Sequence, residues 1–402
     1  MKTAMVVHGR FHAFDLAREL IRAGEDVYVL TNYPKIIAEK FGIPPERVRT
    51  NLLHGVISRI GYELESFTGW TKIEEITHSW FSRWAAKIVQ RGSFDIIHGF
   101  SGVCEELLRT GLPKRALHTL VRGSAHIETQ AELLAEEEQR AGVKLEKPSA
   151  WLRAREAREY DLADLIFVLS TFAWQSFVSR GVDPARLRFM PLGSEVSRFR
   201  ASEQTIRARS ERIRSASPLR VLTVGTFSYR KGAMDLVEIA RASCDFASFR
   251  FVGTVSTEAA TLKSNSRKFI DFVAKVPQFD LPEHYRWGDL FLFPTIEDGF
   301  AVVLAQAAAA ALPILATANC AAPDFIRNGK TGWIFPIRRP DLFIEQLKWC
   351  DQNRDELALI VDQTRTFYEP WDWSDVGRDF RNICASAYAE IIEQGKIDVA
   401  RA

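Results

Sequence analysis

Short apolar, β-rich runs alternate with stretches of helical periodicity along most of the chain. In the first half they read TAMVVH (3–8), DVYVLT (26–31), FDIIHG (94–99), ALHTLV (116–121) and LIFVL (165–169). In the second half they read LRVLTVG (219–225), SFRFVG (248–253), FIDFVAKV (269–276), LFLFP (290–294) and PILAT (313–317). Unbroken apolar strands separated by helices are the mark of parallel sheets covered on both faces. Two such series predict an α/β protein of two doubly wound, Rossmann-like domains. Open parallel sheets hold their ligands beyond the carboxyl ends of the strands. Two of them facing each other enclose a cleft, and the loops after strands are where chemistry is expected.

One apolar stretch, IEDGFAVVLAQAAAAALPILATA (296–318), has the length of a membrane span. A span needs about 20 strongly apolar residues, whereas this one is mostly alanine and is interrupted by Gln306 and Pro313. It reads instead as a strand over 289–294, a loop, a buried helix over 301–312 and a further strand. The polar segment SEVSRFRASEQTIRARSERIRSASP (194–218) carries six arginines and marks the domain boundary. A solvated linker or surface helix is one reading of it, and a docking patch for anionic lipid or an acidic partner is the other. The expected organisation is an N-terminal domain over 1–196, a linker over 197–217 and a C-terminal domain over 218–375. Residues 376–402 form a C-terminal helix with the option of returning to the N-terminal domain.

Composition narrows the class. A chain of 402 residues is long for one core and fits two domains. Hydrophobic residues at 47% and charged residues at 26% are ordinary for a soluble globular protein. A formal charge of +2 makes no case for nucleic acid. Cys104, Cys244, Cys320, Cys350 and Cys384 show neither a C-x-x-C pair nor zinc-like spacing, so reduced thiols, a cytoplasmic setting and no metal site are expected. The N-terminal apolar run is too short for a signal peptide.

Four loops hold candidate chemistry. In VVHGRFHAFDL a strand ends at His8 and a helix begins near Phe14, so Gly9 is either a structural turn or a ligand loop at a helix N-terminus. His8 and His12 are weak signals on their own. In VLTVGTFSYRKGAMDL a strand runs through Gly225 and Thr226 into Arg230 and Lys231, just before a helix. Cations there oppose the helix dipole, a conflict that a bound pyrophosphate would remove. In the opening of 296–318, Asp298 can cap the helix, and Gly299 permits close approach to the amides of Phe300, Ala301, Val302 and Val303. Gln306 lies eight residues beyond Asp298, roughly 12 Å along a helix, and a buried glutamine wants polar partners. In TLVRGSAHIETQ, His126 follows a strand and a Gly-Ser turn, and is either structural or functional.

Together these loops resemble a retaining glycosyltransferase of family 4, with the two-domain GT-B fold. The family's E-G-F-G-L-V-x-L-E-A is similar to D-G-F-A-V-V-L-A-Q-A, which puts Asp298 on the acid that contacts the donor sugar. Gln306 falls on the acid that holds the ribose. The family's G-R-L-x-x-x-K-G phosphate loop resembles residues 225–232, with Lys231 in the phosphate-binding place. Thr226 stands for the family's arginine, leaving Arg230 as a substitute cation, and Glu297 competes with Asp298 for the sugar. R-G-S-A-H-I resembles the segment holding the acceptor-side histidine, hence His126. P-L-G-S-E-V-S-R-F (191–199) is similar to the junction motif P-x-G-V-D-x-x-x-F, and C-A-A-P-D-F-I-R-N-G-K-T-G also fits.

The resemblance implies transfer of a sugar from a UDP- or GDP-linked donor to a hydroxyl of a glycan or lipid-linked saccharide, with retention and without a metal or other cofactor. A nucleotide-sugar epimerase of the same fold and a non-catalytic nucleotide-sugar-binding protein are the alternatives. The segment WTKIEEITHSWFSRWAAKIVQR (70–91) sets Trp70, Ile73, Ile76, Trp80, Trp84 and Ile88 near one helical face. That face is either core or a peripheral membrane contact assisted by Lys72, Arg83, Lys87 and Arg91.

Overall fold

A computed structural model describes residues 1–68, 72–109, 116–215, 217–367 and 371–401. Trp70 falls outside them. The apolar runs form two parallel sheets. The first contains β1 (Lys2–Val7), β2 (Asp26–Thr31), β3 (Val48–Thr50), β4 (Ile96–Phe100), β5 (Leu117–Arg122), β6 (Leu165–Val168) and β7 (Leu187–Phe189), in the order β3-β2-β1-β4-β5-β6-β7. The second contains β8 (Leu219–Phe227), β9 (Ala247–Val255), β10 (Ile270–Ala274), β11 (Leu290–Phe293), β12 (Ile314–Thr317) and β13 (Gly332–Phe335), in the order β10-β9-β8-β11-β12-β13. Helices cover both faces of each sheet, so β4, β6, β11 and β12 are buried at every position. This is the GT-B arrangement of two Rossmann-like domains.

Strand order reverses between β1 and β4 in the first sheet and between β8 and β11 in the second. Loops after neighbouring strands diverge at such a switch point and leave a crevice. The two crevices face each other.

The arginine-rich stretch contains a surface helix, in keeping with the first of its two readings: Arg198, Arg200, Arg207 and Arg214 are exposed, and one face is buried. Residues Glu203–Arg214 form a helix capped by Ser202, whose side chain accepts from the Thr205 amide. Ile206 and Ile213 are buried beneath it. Arg209, nearly inaccessible, donates to the carbonyls of Ala310 (2.6 Å), Ala311 (2.9 Å) and Tyr285 (3.0 Å). The Ala310 and Ala311 carbonyls lie at the end of the helix Val302–Ala309, where a cation satisfies free acceptors and complements the dipole, and the Tyr285 carbonyl belongs to the helix Leu281–Trp287. Arg212 pairs with Asp289 and Arg214 with Asp355. One arginine of this surface helix, Arg209, therefore points inward and ties the C-terminal domain's core.

The last helix, Trp373–Arg401, crosses back to the N-terminal sheet. Phe380 packs against His98 and Phe167, and the Tyr388 hydroxyl donates to Asp95 at 3.0 Å.

Candidate active site

A cavity of about 1450 Å³ occupies the space between the two switch points. Arg10, Phe11 and His12 from the loop after β1 line one wall, with Phe100 and Ser101 from the end of β4. The opposite wall comes from Gly225, Thr226, Arg230 and Lys231 after β8, and from Asp298, Phe300, Ala301 and Val302 after β11. Gln306 closes it deeper in.

Each residue of the second wall is held by the local chain. Gly232 has φ +75°, and a Cβ there would meet the Pro294 carbonyl oxygen at 1.8 Å. Glycine at that position lets the 229–231 turn lie against the loop after β11. Two adjacent cations thereby meet two adjacent carboxylates: Arg230 Nε donates to Glu297 at 2.9 Å and Lys231 Nζ pairs with Asp298. The conflict between these cations and the helix dipole is relieved within the protein, without a bound polyanion. Lys231 and Asp298 nevertheless both reach the cavity surface.

Asp298 is not the helix cap. The helix begins at Val302 behind Ala301, which has φ 66° and makes no side-chain cap. Asp298 Oδ1 instead accepts from the Phe300 amide at 3.2 Å, closing a turn one step earlier. A left-handed alanine is a strained conformation kept where surrounding structure enforces it. Just beyond it, the first amides of the helix lack intrahelical acceptors, and Val302 and Val303 line the cavity wall.

Glu297 takes no part in that wall. Its side chain is fully buried and accepts from the Ser124 hydroxyl, the Ala125 amide (3.2 Å), Gln130 Nε2 (3.1 Å) and Arg230. The first three belong to the N-terminal domain. Burial raises its carboxyl pKa, but Arg230, Ser124, Lys231 and the Ala125 amide outweigh that and hold it at about 2. Gly299 serves the same contact: a Cβ there would sit 2.2 Å from the Gly123 oxygen. Its small size accommodates the other domain, not a ligand.

Other expected site residues are placed differently. Gly9 has its amide taken by Asn32 Oδ1 at 2.7 Å, so it is a structural turn, and its neighbours at 10–12 face the cavity. His126 lies outside the wall. It is the N-cap of the helix Ile127–Ala141, its Nδ1 accepts from the Glu128 amide at 3.3 Å, and its ring packs on Tyr160 and Phe177. Burial, helped by Arg180 and Arg122, lowers its pKa to about 4, so it is a neutral structural cap. Gln306 finds its polar partner in the Tyr285 hydroxyl, 2.8 Å from Oε1.

Residues passed over in the sequence stand in the wall: Arg122, Ser124 and Gln130. Arg122 donates to Glu156 (3.0 Å) and to Gln130 (2.6 Å). A lone arginine at a strand end carries no signal until its partners, distant in sequence, are placed. His12 also lines the cavity, between Phe100 and Trp373, and its Nε2 meets no hydrogen-bond partner among the described residues.

Comparison with known proteins places this geometry. Residues 10–198 match the model described as Glycosyltransferase Family 4, and residues 218–353 match Glycosyl transferases group 1. The chain belongs to this glycosyltransferase family. Sulfoquinovosyl transferase SQD2 of Arabidopsis thaliana is 24% identical over 59% of this chain and 47% of its own length. A Mycobacterium tuberculosis GDP-mannose-dependent alpha-(1-6)-phosphatidylinositol monomannoside mannosyltransferase is 25% identical over 53% of this chain and 59% of its own. The chain thus spans about half the length of these curated relatives. Anabaena HepE, solved in complex with UDP, shares the fold at a TM-score of 0.65 and 15% identity, covering 96% of this chain and all of that one.

Proposed function

We propose that the protein transfers a sugar from a nucleoside-diphosphate donor to a hydroxyl of a saccharide or lipid-linked acceptor, with retained configuration and without a metal. The observation that carries this reading is the convergence of Lys231, Arg230, Asp298 and the first turn of the helix Val302–Ala309 on one cavity between two switch points. Charge develops on the leaving diphosphate as the sugar departs. Fixed cations and helix N-terminal amides stabilise such charge without reorganising. Asp298 accepts hydrogen bonds from sugar hydroxyls, and Gln306 reaches the ribose. The wall of residues 10–12 and Phe100 receives the acceptor. UDP and GDP are the donor diphosphates to try first, since HepE is solved with UDP and the mycobacterial mannosyltransferase depends on GDP-mannose.

No helix among the described residues is long and apolar enough to cross a membrane. Peripheral contact is supported by a different feature. The helix Leu52–Thr68 exposes Leu52, Leu53, Val56, Ile57 and Ile60. At helical spacing these five share one side, while His54 and Ser58 are buried on the other. Soluble monomers seldom expose so large an apolar patch, and a lipid-linked acceptor would bring the protein to a surface where the patch is covered.

The test is release of nucleoside diphosphate from UDP- and GDP-sugars, with a chelator present and with candidate acceptors added. Acceptor-dependent release supports transfer, whereas sugar isomerisation without release would point to an epimerase. Lys231→Ala should lower turnover more than about hundredfold, since one lost donor to a developing oxyanion costs roughly 3 kcal/mol. A near-normal rate would move the phosphate site elsewhere.

A further inference from the structure

A fully buried carboxylate at a boundary between domains needs a reason. Glu297 sits beside the cavity, on a loop whose next residue, Asp298, faces it. Of its four hydrogen-bond donors, Arg230 comes from its own domain and Ser124, Ala125 and Gln130 come from the other. The contact is continued by Arg230 Nη2, which donates to Ser124 Oγ at 3.3 Å, and by Gly299 packed on Gly123. Gln130 in turn holds Arg122. Ser124, Gln130, Arg122 and Arg230 all line the cavity.

We infer that Glu297 is a positioning residue which ties apposition of the two domains to the orientation of Arg230 in the cavity. With the domains apart, the carboxylate keeps only Arg230 and water. With them together, three donors of the N-terminal domain complete its shell, and Arg230 is fixed between that carboxylate and Ser124. The cation is therefore aligned when the N-terminal wall is in place and loosely held when it is not. Only the role of Arg230 in transfer rests on the reaction proposed above; the bridging of the domains does not.

Glutamine at 297 separates charge from shape. Its oxygen can still accept from Ser124 and Ala125. Its amide nitrogen would then face the Gln130 amide and Arg230 Nε, donor against donor. Removing one partner of a buried, hydrogen-bonded charge pair between two surfaces is costly.

Turnover of Glu297→Gln should fall at least about 30-fold, with affinity for UDP or GDP within about twofold of the wild type. In solution scattering without ligand, the variant should show a larger radius of gyration than the wild type. Ser124→Ala keeps the Arg230–Glu297 pair and should lose about tenfold in turnover, with little added loss in the Glu297→Gln background. It also covers the case in which Glu297→Gln fails to fold. Normal turnover in both variants overturns the inference. So does a parallel loss of turnover, diphosphate affinity and thermal stability, which is what a merely structural contact would give. If the wild type transfers no sugar, the proposed reaction fails, and scattering alone decides the bridge: expansion of the variant upholds it, an unchanged profile removes it.

Discussion

At the scale of single residues, the neighbours Glu297 and Asp298 divide two tasks that sequence alone cannot separate. Both are acids at the end of a strand, beside Gly299. Glu297 is enclosed by donors from two domains, while Asp298 meets the cavity and is held by Lys231 and the Phe300 amide. Asparagine at 298 keeps one acceptor oxygen for that amide and gives up the ion pair with Lys231. A partly exposed pair contributes at most about 1 kcal/mol to stability, so Asp298→Asn should fold normally. Lys231, freed of its partner, should hold a nucleoside diphosphate at least as well as before. Transfer should largely disappear if, as proposed, this carboxylate receives the sugar hydroxyls. Melting temperature, diphosphate affinity and transfer rate measured on one preparation decide the matter. If transfer is unchanged, Asp298 only closes its turn.

At the scale of elements, period and turn chemistry made the two sheets legible. The apolar runs at 3–8, 26–31, 219–225 and 290–294 lie within or across β1, β2, β8 and β11. The strand-end loops singled out in the sequence also meet at one cavity. What could not be read was pairing at long range. Arg209 reads as surface charge because its carbonyl partners lie a hundred residues away, and His126 reads as functional because Tyr160 and Phe177 are invisible from its position. The segment 70–91 differs in part from its sequence pattern: its buried stripe is Ile73, Phe81, Ala85 and Val89, while Ile76 is exposed. The apolar surface lies mainly on the preceding helix, Leu52–Thr68, with Leu53 64% and Val56 58% exposed. Its sequence, LLHGVISRIG, carries so few charges that it suggests core, and only packing shows which side is left uncovered. If this helix rests on lipid, each aliphatic side chain inserted contributes about 1 kcal/mol. Leu53→Glu with Ile57→Glu should then reduce co-sedimentation with phosphatidylcholine–phosphatidylglycerol vesicles by about tenfold or more, while release of nucleoside diphosphate in solution is retained. Equal sedimentation of variant and wild type would remove the membrane contact.

At the scale of the whole molecule, the N-terminal domain is built around neutral histidines. Burial lowers His12 and His98 to about 3, the latter helped by His12. Burial with neighbouring His54 lowers His8 to about 4, and burial with His8 and Arg155 lowers His78 to about 3. Unfolded, each would titrate near 6.5. Between that value and its folded pKa, the unfolded chain binds a proton that the folded chain refuses, so stability rises with pH across the window. It is fully present above about pH 7 and is lost progressively as pH falls, at up to about 1.4 kcal/mol per histidine per pH unit. Glu297, depressed to about 2, adds a loss of the same sign at lower pH. Glu159, raised by burial to about 8, works the other way, since its stabilising neutral form is lost as pH rises. One group against these four and His126, also lowered to about 4, leaves the histidines in control below neutrality. The C-terminal domain carries only His284, so acid should unfold the N-terminal half first. Thermal unfolding between about pH 7.5 and 5 should show a falling midpoint and a separating first transition. His98→Gln, which keeps polarity but cannot titrate, should flatten the slope of that transition while leaving the second in place. A midpoint independent of pH across this range would mean that these histidines are not held neutral by the fold.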